Sequence, residues 1–395
     1  MKTRKKKADR ISTLPDAVLC YILSFLPTKL CVATSILSRR WRPLWRSVPT
    51  LDFDDSGYDQ SREIYRRFVQ SVYVAIYSRD LHQPIQRFRL KSDSSLAGHS
   101  NLRAWMNAAA ERGVEHLDLS LPPYWDNNWK LSLPSAILSS RTLVVLKLYG
   151  LTVKAHLPVH LPSLKILHLY CILFKRSRNL AKFLSGCPVL EYLEEDQVEF
   201  DDSLIVGEFK RLPKLVRAYV HKVHVPLESV RNVELLRILG MCDIRGFQYP
   251  IPMFLNLTHI ELIYYYFIRD WLEIVEVLKR CPKLQILFID QSWPGKFDEE
   301  EVGGGDWPYP QFVPESISLH LKTCRLYNYQ SSKGEFRFVR YILRNARLLQ
   351  SMKIISCTSN QDVKLKMIKD LSFCRRRSVT CKLSFQFTEF MHSHY

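Results

Sequence analysis

Apolar residues follow two different rhythms along this chain. Near the N-terminus, Val18, Leu19, Ile22, Leu23 and Leu26 recur at helical spacing and make one wide apolar stripe. Pro15 suits the first helical position and Asp16 the first turn, where the helix dipole favours a carboxylate; Pro27 closes the helix. A second short helix is predicted from Lys29 to Ser35. A third runs from Ser38 to Arg46, with Trp41 and Trp45 four apart on one face. A unit of about 40 residues rarely buries enough surface to stand alone, so these helices need cover from the rest of the chain or from a partner.

From residue 114 onward the rhythm changes. An apolar-x-x-apolar-x-apolar phrase starts at Val114, Leu143, Leu164, Leu190, Leu215, Leu236, Leu257 and Leu284, at intervals averaging about 24 residues. Only the fourth phrase loses an apolar position, to Glu195. Between the phrases, Asn179–Pro188 and Trp271–Pro282 read as amphipathic helices, each ending at a Cys-Pro that leads into the next strand. Each unit buries its apolar face only by stacking on neighbours, which gives a curved solenoid of leucine-rich repeats with parallel strands. Gln86–Leu90 is a candidate additional strand.

Strand alternation turns the residues between the inward leucines toward the concave surface. These include Lys147 and Tyr149, His168 and Tyr170, Tyr192, Arg217 and Tyr219. Rings mixed with charges are typical of protein-binding surfaces, so these seven residues form the candidate substrate site.

Ser292–Pro314, rich in proline and glycine and carrying the run Asp298–Glu301, reads as a linker. Beyond it Ile317–Tyr327 is predicted as a strand and Glu335–Leu349 as a helix. Met352–Ile355 and Cys381–Phe385 are two further strands.

Charge is the one unusual feature of composition. The net charge is +18 over 395 residues, which favours anionic partners such as acidic protein surfaces or nucleic acid. The run Lys2–Lys7 is either a nuclear import signal or a solvated tail. No stretch is apolar enough for a spanning helix and no apolar signal core follows the basic start, so a nuclear or cytoplasmic location is expected. The ten cysteines contain no Cys-x-x-Cys and read as small buried hydrophobes. His156 and His160 have helical spacing, but Pro158 interrupts them. No cofactor and no metal is expected. There is no phosphate loop, nucleophile elbow or His-Glu-x-x-His motif, so the chain does not read as an enzyme.

Leu14-Pro15-Asp16, Val18-Leu19, Ile22–Lys29, Val32–Ser35 and Leu37–Trp45 resemble the F-box of plant proteins. Val313–Ile317, His320–Thr323, Glu335–Ala346 and Leu349–Met352 resemble the FBD domain that follows leucine-rich repeats in many of them. Ala17 and Ser316 depart from the usual residues. The resemblance covers almost the whole chain: basic tail 1–8, F-box 9–50, repeats 85–291, linker 292–314 and FBD domain 315–395. The expected fold is thus α/β (α+β overall), a three-helix module followed by a solenoid and a C-terminal cap.

This resemblance implies a substrate-recognition subunit of an SCF-type ubiquitin ligase, docked on a Skp1-type adaptor and through it on a cullin-RING ligase. It also implies that Leu14, Pro15, Ile22, Leu23, Leu26, Leu37, Trp41 and Trp45 contact the adaptor or support that contact. The alternatives are a basic scaffold for nucleic acid or phosphoprotein and an F-box protein that recruits no substrate. Nucleic acid is the less expected partner, because no helix carries a clustered basic stripe.

Overall fold

The computed structural model describes residues 11, 13–58, 61–80, 83–92, 99–121, 131–154, 158–201, 208–221, 224–241, 251–265, 268, 270–291, 310 and 312–388. Lys2–Lys7, His156 and most of the Ser292–Pro314 segment lie outside the described residues.

Three short helices open the chain: α1 (Asp16–Leu23), α2 (Thr28–Ala33), extended by a 3-10 turn at Thr34–Ile36, and α3 (Trp41–Ser47). Pro15 is the cap of α1 rather than its first residue, and Pro27 caps α2 rather than closing α1. The expected stripe divides in consequence. Leu19 and Leu23 are buried, whereas Val18 and Ile22 are exposed, because an eight-residue helix in so small a module buries only a narrow strip. Arg40 holds the start of α1, through an ion pair with Asp16 at 2.6 Å and a hydrogen bond to the Leu14 carbonyl.

Beyond these helices the chain forms parallel sheet in two units, residues 1–188 with 197–203 and residues 189–196 with 204–395. In the first unit, β1 (Thr50–Asp54), β2 (Arg87–Lys91), β3 (His116–Ser120), β4 (Val145–Val153) and β5 (Ile166–Phe174) pair in chain order, all parallel. Helices α4 (Arg62–Tyr77), α5 (His99–Glu111), α6 (Ser135–Leu138) and α7 (Ser177–Ser185) connect or follow them. At the end of α7, a Cβ on Gly186 would lie 2.3 Å from the Val159 carbonyl oxygen, so only glycine fits there.

The two-residue β7 (Glu199–Phe200) also belongs to the first unit and pairs with β5; in the second unit, β6 (Tyr192–Asp196) pairs with β8 (Arg217–His221). The order then runs through β9 (Leu235–Met241), β10 (His259–Tyr264), β11 (Ile286–Gln291), β12 (Thr323–Tyr327), β13 (Ser351–Ser356) and β14 (Lys382–Phe387), again all parallel. Its helices are α8 (Trp271–Lys279), α9 (Lys333–Asn345) and α10 (Gln361–Ser372). The class is α/β, built by stacking repeats.

The core is a set of ladders running from strand to strand. Leu117, Leu146 and Leu167 are register neighbours, as are Leu119, Leu148 and Leu169, and none is more than 2% exposed. In the second unit one such ladder runs Leu193, Ala218, Leu236, Ile260, Leu287, Cys324 and Met352. Opposite Ala218 and Ile260, Leu236 holds the second position of its phrase. That repeat therefore starts at Val233, not Leu236, and Ile238 fills its third position. The phrase also occurs at Val48, Ile85, Leu321 and Leu349, each beginning a further buried strand. One local expectation is corrected at the C-terminal end: Ser316–His320 is a π-helical turn, and the strand begins only at Thr323.

The two Cys-Pro junctions behave alike. Cys187 donates its Sγ–H to the Phe183 carbonyl and Cys281 to that of Val277, both at 3.3 Å, and burial pushes both thiols up to about 12. They are packing residues of the helix ends.

Candidate functional site

Two surfaces carry the residues singled out above. The first lies on the helical module. Val18, Tyr21 and Ile22 share one face of α1, and Phe25 continues it one turn on; all four are exposed. Tyr21 and Phe25 meet edge to face at 5.0 Å. Leu30, Ile36 and Leu37 add exposed apolar area on the following helix and turn. So much exposed apolar area on three short helices marks an interaction surface.

The expected adaptor residues divide between this surface and its support. Ile22 is 45% and Leu37 64% exposed, and Pro15 is exposed as well. Leu14, Leu26 and Trp41 are half-buried. Leu23 and Trp45, at 2% and 7%, belong to the core beneath. Tyr21, Phe25, Leu30 and Ile36 were not among the expected residues. Their signal was in the chain: with Tyr21 added to Val18, Leu19, Ile22 and Leu23, the eight-residue helix α1 carries more apolar surface than the module can cover.

The second surface is the outward face of the strands, present in each unit. In the first unit, Asp52, Arg89, Asp118, Lys147 and His168 are successive register neighbours, and the first four alternate in sign. Arg89 pairs with Asp52 at 2.9 Å. Burial pushes the Asp118 carboxyl up, with Lys147, Arg89 and His168 pulling against it. One register step along, Tyr149 and Tyr170 stack at 5.1 Å with ring planes 12° apart. Lys147, Tyr149, His168 and Tyr170 thus share one patch, whose charges are largely met within the sheet.

In the second unit Tyr192 and Tyr219 meet edge to face at 5.5 Å, beside an exposed Arg217. The Tyr192 hydroxyl donates to Glu194 at 2.9 Å; burial and this carboxylate push its pKa up. Arg237 lies over the Tyr219 ring at 6.0 Å and 3.6 Å from Glu261, which also pairs with His259 at 3.1 Å. The same face continues through Phe288, Arg325 and Lys353, residues outside the expected set. Plain strand alternation carried past residue 284 reaches them.

Glu195, the break in the repeat phrase, is fully buried at the inward position. Its carboxylate accepts from the His221 backbone N–H and lies 2.9 Å from His224 Nδ1, so the polar side chain is satisfied where a leucine would otherwise pack.

Comparison with known proteins bears on all three regions. Residues 11–52 match the F-box domain, residues 102–206 the leucine-rich repeats of the FBD-associated F-box protein At5g56370, and residues 309–354 the FBD domain. The F-box/FBD/LRR-repeat protein At4g00160 of Arabidopsis thaliana is 29% identical, over 97% of this chain and 96% of its own length. F-box/FBD/LRR-repeat protein At4g26340 of the same plant is also 29% identical, over 95% of this chain and the whole of that protein. The FBD-associated F-box protein At3g52670, likewise from Arabidopsis thaliana, reaches 30% over 96% of this chain and 98% of its own. With F-box, repeats and FBD in that order and full-length similarity of this extent, the chain belongs to the family of F-box/FBD/LRR-repeat proteins.

Proposed function

We propose that this F-box protein is the substrate-recognition subunit of an SCF-type E3 ubiquitin ligase. The observation that carries this reading is the exposed apolar surface of the F-box helices, laid over a core that Leu19, Leu23 and Trp45 already fill. A Skp1-type adaptor covers that surface and joins the chain to a cullin-RING ligase. The strand face receives the target through Lys147, Tyr149, His168 and Tyr170 in one unit and Tyr192, Arg217 and Tyr219 in the other. The chain itself performs no bond chemistry; it supplies proximity between target and ligase. We place it in the nucleus, the cytoplasm or both. No described helix is long and apolar enough to cross a membrane.

The test is capture of the Skp1-type adaptor by the purified chain and by its Leu14→Ala/Pro15→Ala variant. Loss of capture with an unchanged circular dichroism spectrum supports the reading, and undiminished capture overturns it. A ubiquitinated protein that copurifies when the proteasome is inhibited, and is lost with Tyr170→Ala/Tyr219→Ala, assigns the target site.

A further inference from the structure

Across the outward face of the second unit one register row runs Glu194, Tyr219, Arg237, Glu261, Phe288, Arg325, Lys353 and Ser384. Its first half is balanced, with Arg237 and His259 both held by Glu261. Its second half is not. Arg325 and Lys353 are direct neighbours on adjacent strands, and Lys382 lies one residue pair away on β14, opposite Ser351. Among the described residues of β11 to β14, the outward positions hold one carboxylate, Asp290. It is buried and accepts a hydrogen bond from Asn328 at 2.8 Å. Burial pushes the Glu261 carboxyl up, but His259, Arg237 and lastly Arg325 bring it below its ordinary value, and its nearest partners are His259 and Arg237.

Adjacent strands of a sheet are about 4.8 Å apart, so like charges directly opposite each other cost stability. In the first unit the corresponding row alternates in sign from Asp52 to Lys147 and avoids that cost there. Beside the uncompensated cations, Phe288 and Tyr327 pack at 4.7 Å and remain partly exposed. Cations on adjacent strands, flanked by accessible rings, complement a chain bearing carboxylates and an apolar anchor.

We infer that the face of β11 to β14, which the FBD region largely supplies, docks an acidic segment of a partner protein. Its Asp or Glu side chains meet Arg325, Lys353 and Lys382, and an apolar residue packs on Phe288 and Tyr327. This rests on the reading of the chain as a receptor and names the chemistry of what it receives. It also gives the C-terminal strands a share of recognition beside the middle strands, where Arg237, Glu261 and His259 already meet one another.

The experiment uses the full-length chain copurified with the Skp1-type adaptor, panned against a phage-displayed random dodecapeptide library. The selected peptides should be rich in Asp and Glu with at least one large apolar residue. Arg325→Glu/Lys353→Glu should retain those clones at least about tenfold less well, and more salt should release them from the wild type. Arg178→Glu/Lys182→Glu on α7 makes the same change in net charge and should retain them fully. Selected peptides without acidic excess, no selected peptide at all, undiminished retention by Arg325→Glu/Lys353→Glu, or equal loss in the α7 variant each overturn the inference. So does a single-stranded oligonucleotide that binds the wild type and not Arg325→Glu/Lys353→Glu while no acidic clone is recovered. If the adaptor fails to copurify, the receptor reading itself fails, an outcome separate from any of these.

Discussion

Arg79 Nη2 lies 3.2 Å from the carbonyl oxygen of Trp45, the last buried residue of the F-box helix α3. The same guanidinium donates from Nη1 to the Val48 carbonyl and from Nε to that of Ala75 at 2.9 Å. Burial and the neighbouring Arg112 bring the Arg79 pKa down to about 10, so the group stays cationic at neutral pH. One side chain from the end of α4 thus satisfies two carbonyls where the F-box passes into the first strand.

Arg79→Met should therefore destabilise the fold by about 3 kcal/mol, because it keeps the apolar bulk and leaves buried carbonyls without donors. Thermal unfolding measures this. An unchanged midpoint would mean that water or another donor replaces the guanidinium and that the junction does not depend on it.

The division of the F-box into surface and support predicts two classes of variant. Phe25→Ala/Leu37→Ala removes exposed apolar side chains, so the chain should fold normally and capture less adaptor. Leu23→Ala opens a cavity in the module and should cost about 2–5 kcal/mol of stability. Adaptor titration beside denaturant unfolding separates them. If Leu23→Ala proves neutral to folding, the burial assigned to α1 is wrong.

Glu195 and His224 supply a pH signature. Burial pushes the Glu195 carboxyl above its ordinary value, against the pull of His224 and the His221 N–H. A carboxyl held above its unfolded value binds its proton more tightly in the folded state. Its contribution is fully present below the ordinary carboxylate range and is lost as pH rises through the folded value. Glu195→Gln keeps an oxygen for the His221 N–H and cannot ionise. It should be the more stable form at pH 8, with the difference shrinking as pH falls toward the ordinary carboxylate range. Denaturant unfolding over a pH series reads this, and parallel curves for the two proteins would refute it.

Much of the fold can be read in the chain because its repeat phrase is local: two strand residues and the apolar residue before them lie within six positions. The phrases at Val48, Ile85, Leu321 and Leu349 are as regular as the eight that the spacing picks out. They are hidden by distance, since Val48 and Ile85 are separated by the sixteen-residue helix α4, and Leu284 and Leu321 by the proline- and glycine-rich segment. The outward face could be listed from alternation, but not its charge balance, which depends on register between strands. Asp118 and Lys147 are far apart in sequence and become neighbours only when β3 pairs with β4. On the F-box, periodicity marks Leu23 and Ile22 alike as stripe residues. Which of them the rest of the chain covers is a matter of packing.

The sixth repeat is where pattern alone sets the wrong frame. Leu236, Leu239 and Met241 satisfy the phrase as well as Val233, Leu236 and Ile238 do, so apolar spacing is ambiguous there. Pairing removes the ambiguity: Ile238 lies opposite Val220 and Leu262 and is 1% exposed, while Leu239 lies opposite His221 on the outward side. The two side chains have nearly the same volume and sit next to each other in sequence, so composition and local propensity hardly distinguish them. Ile238→Ala should cost about 2–4 kcal/mol through lost burial and a residual cavity, and Leu239→Ala about 1 kcal/mol or less. Denaturant unfolding of both variants at one pH gives the comparison. Equal losses, or a larger loss at Leu239, would put β9 one residue out of register, a shift that moves every side chain of a strand to the opposite face.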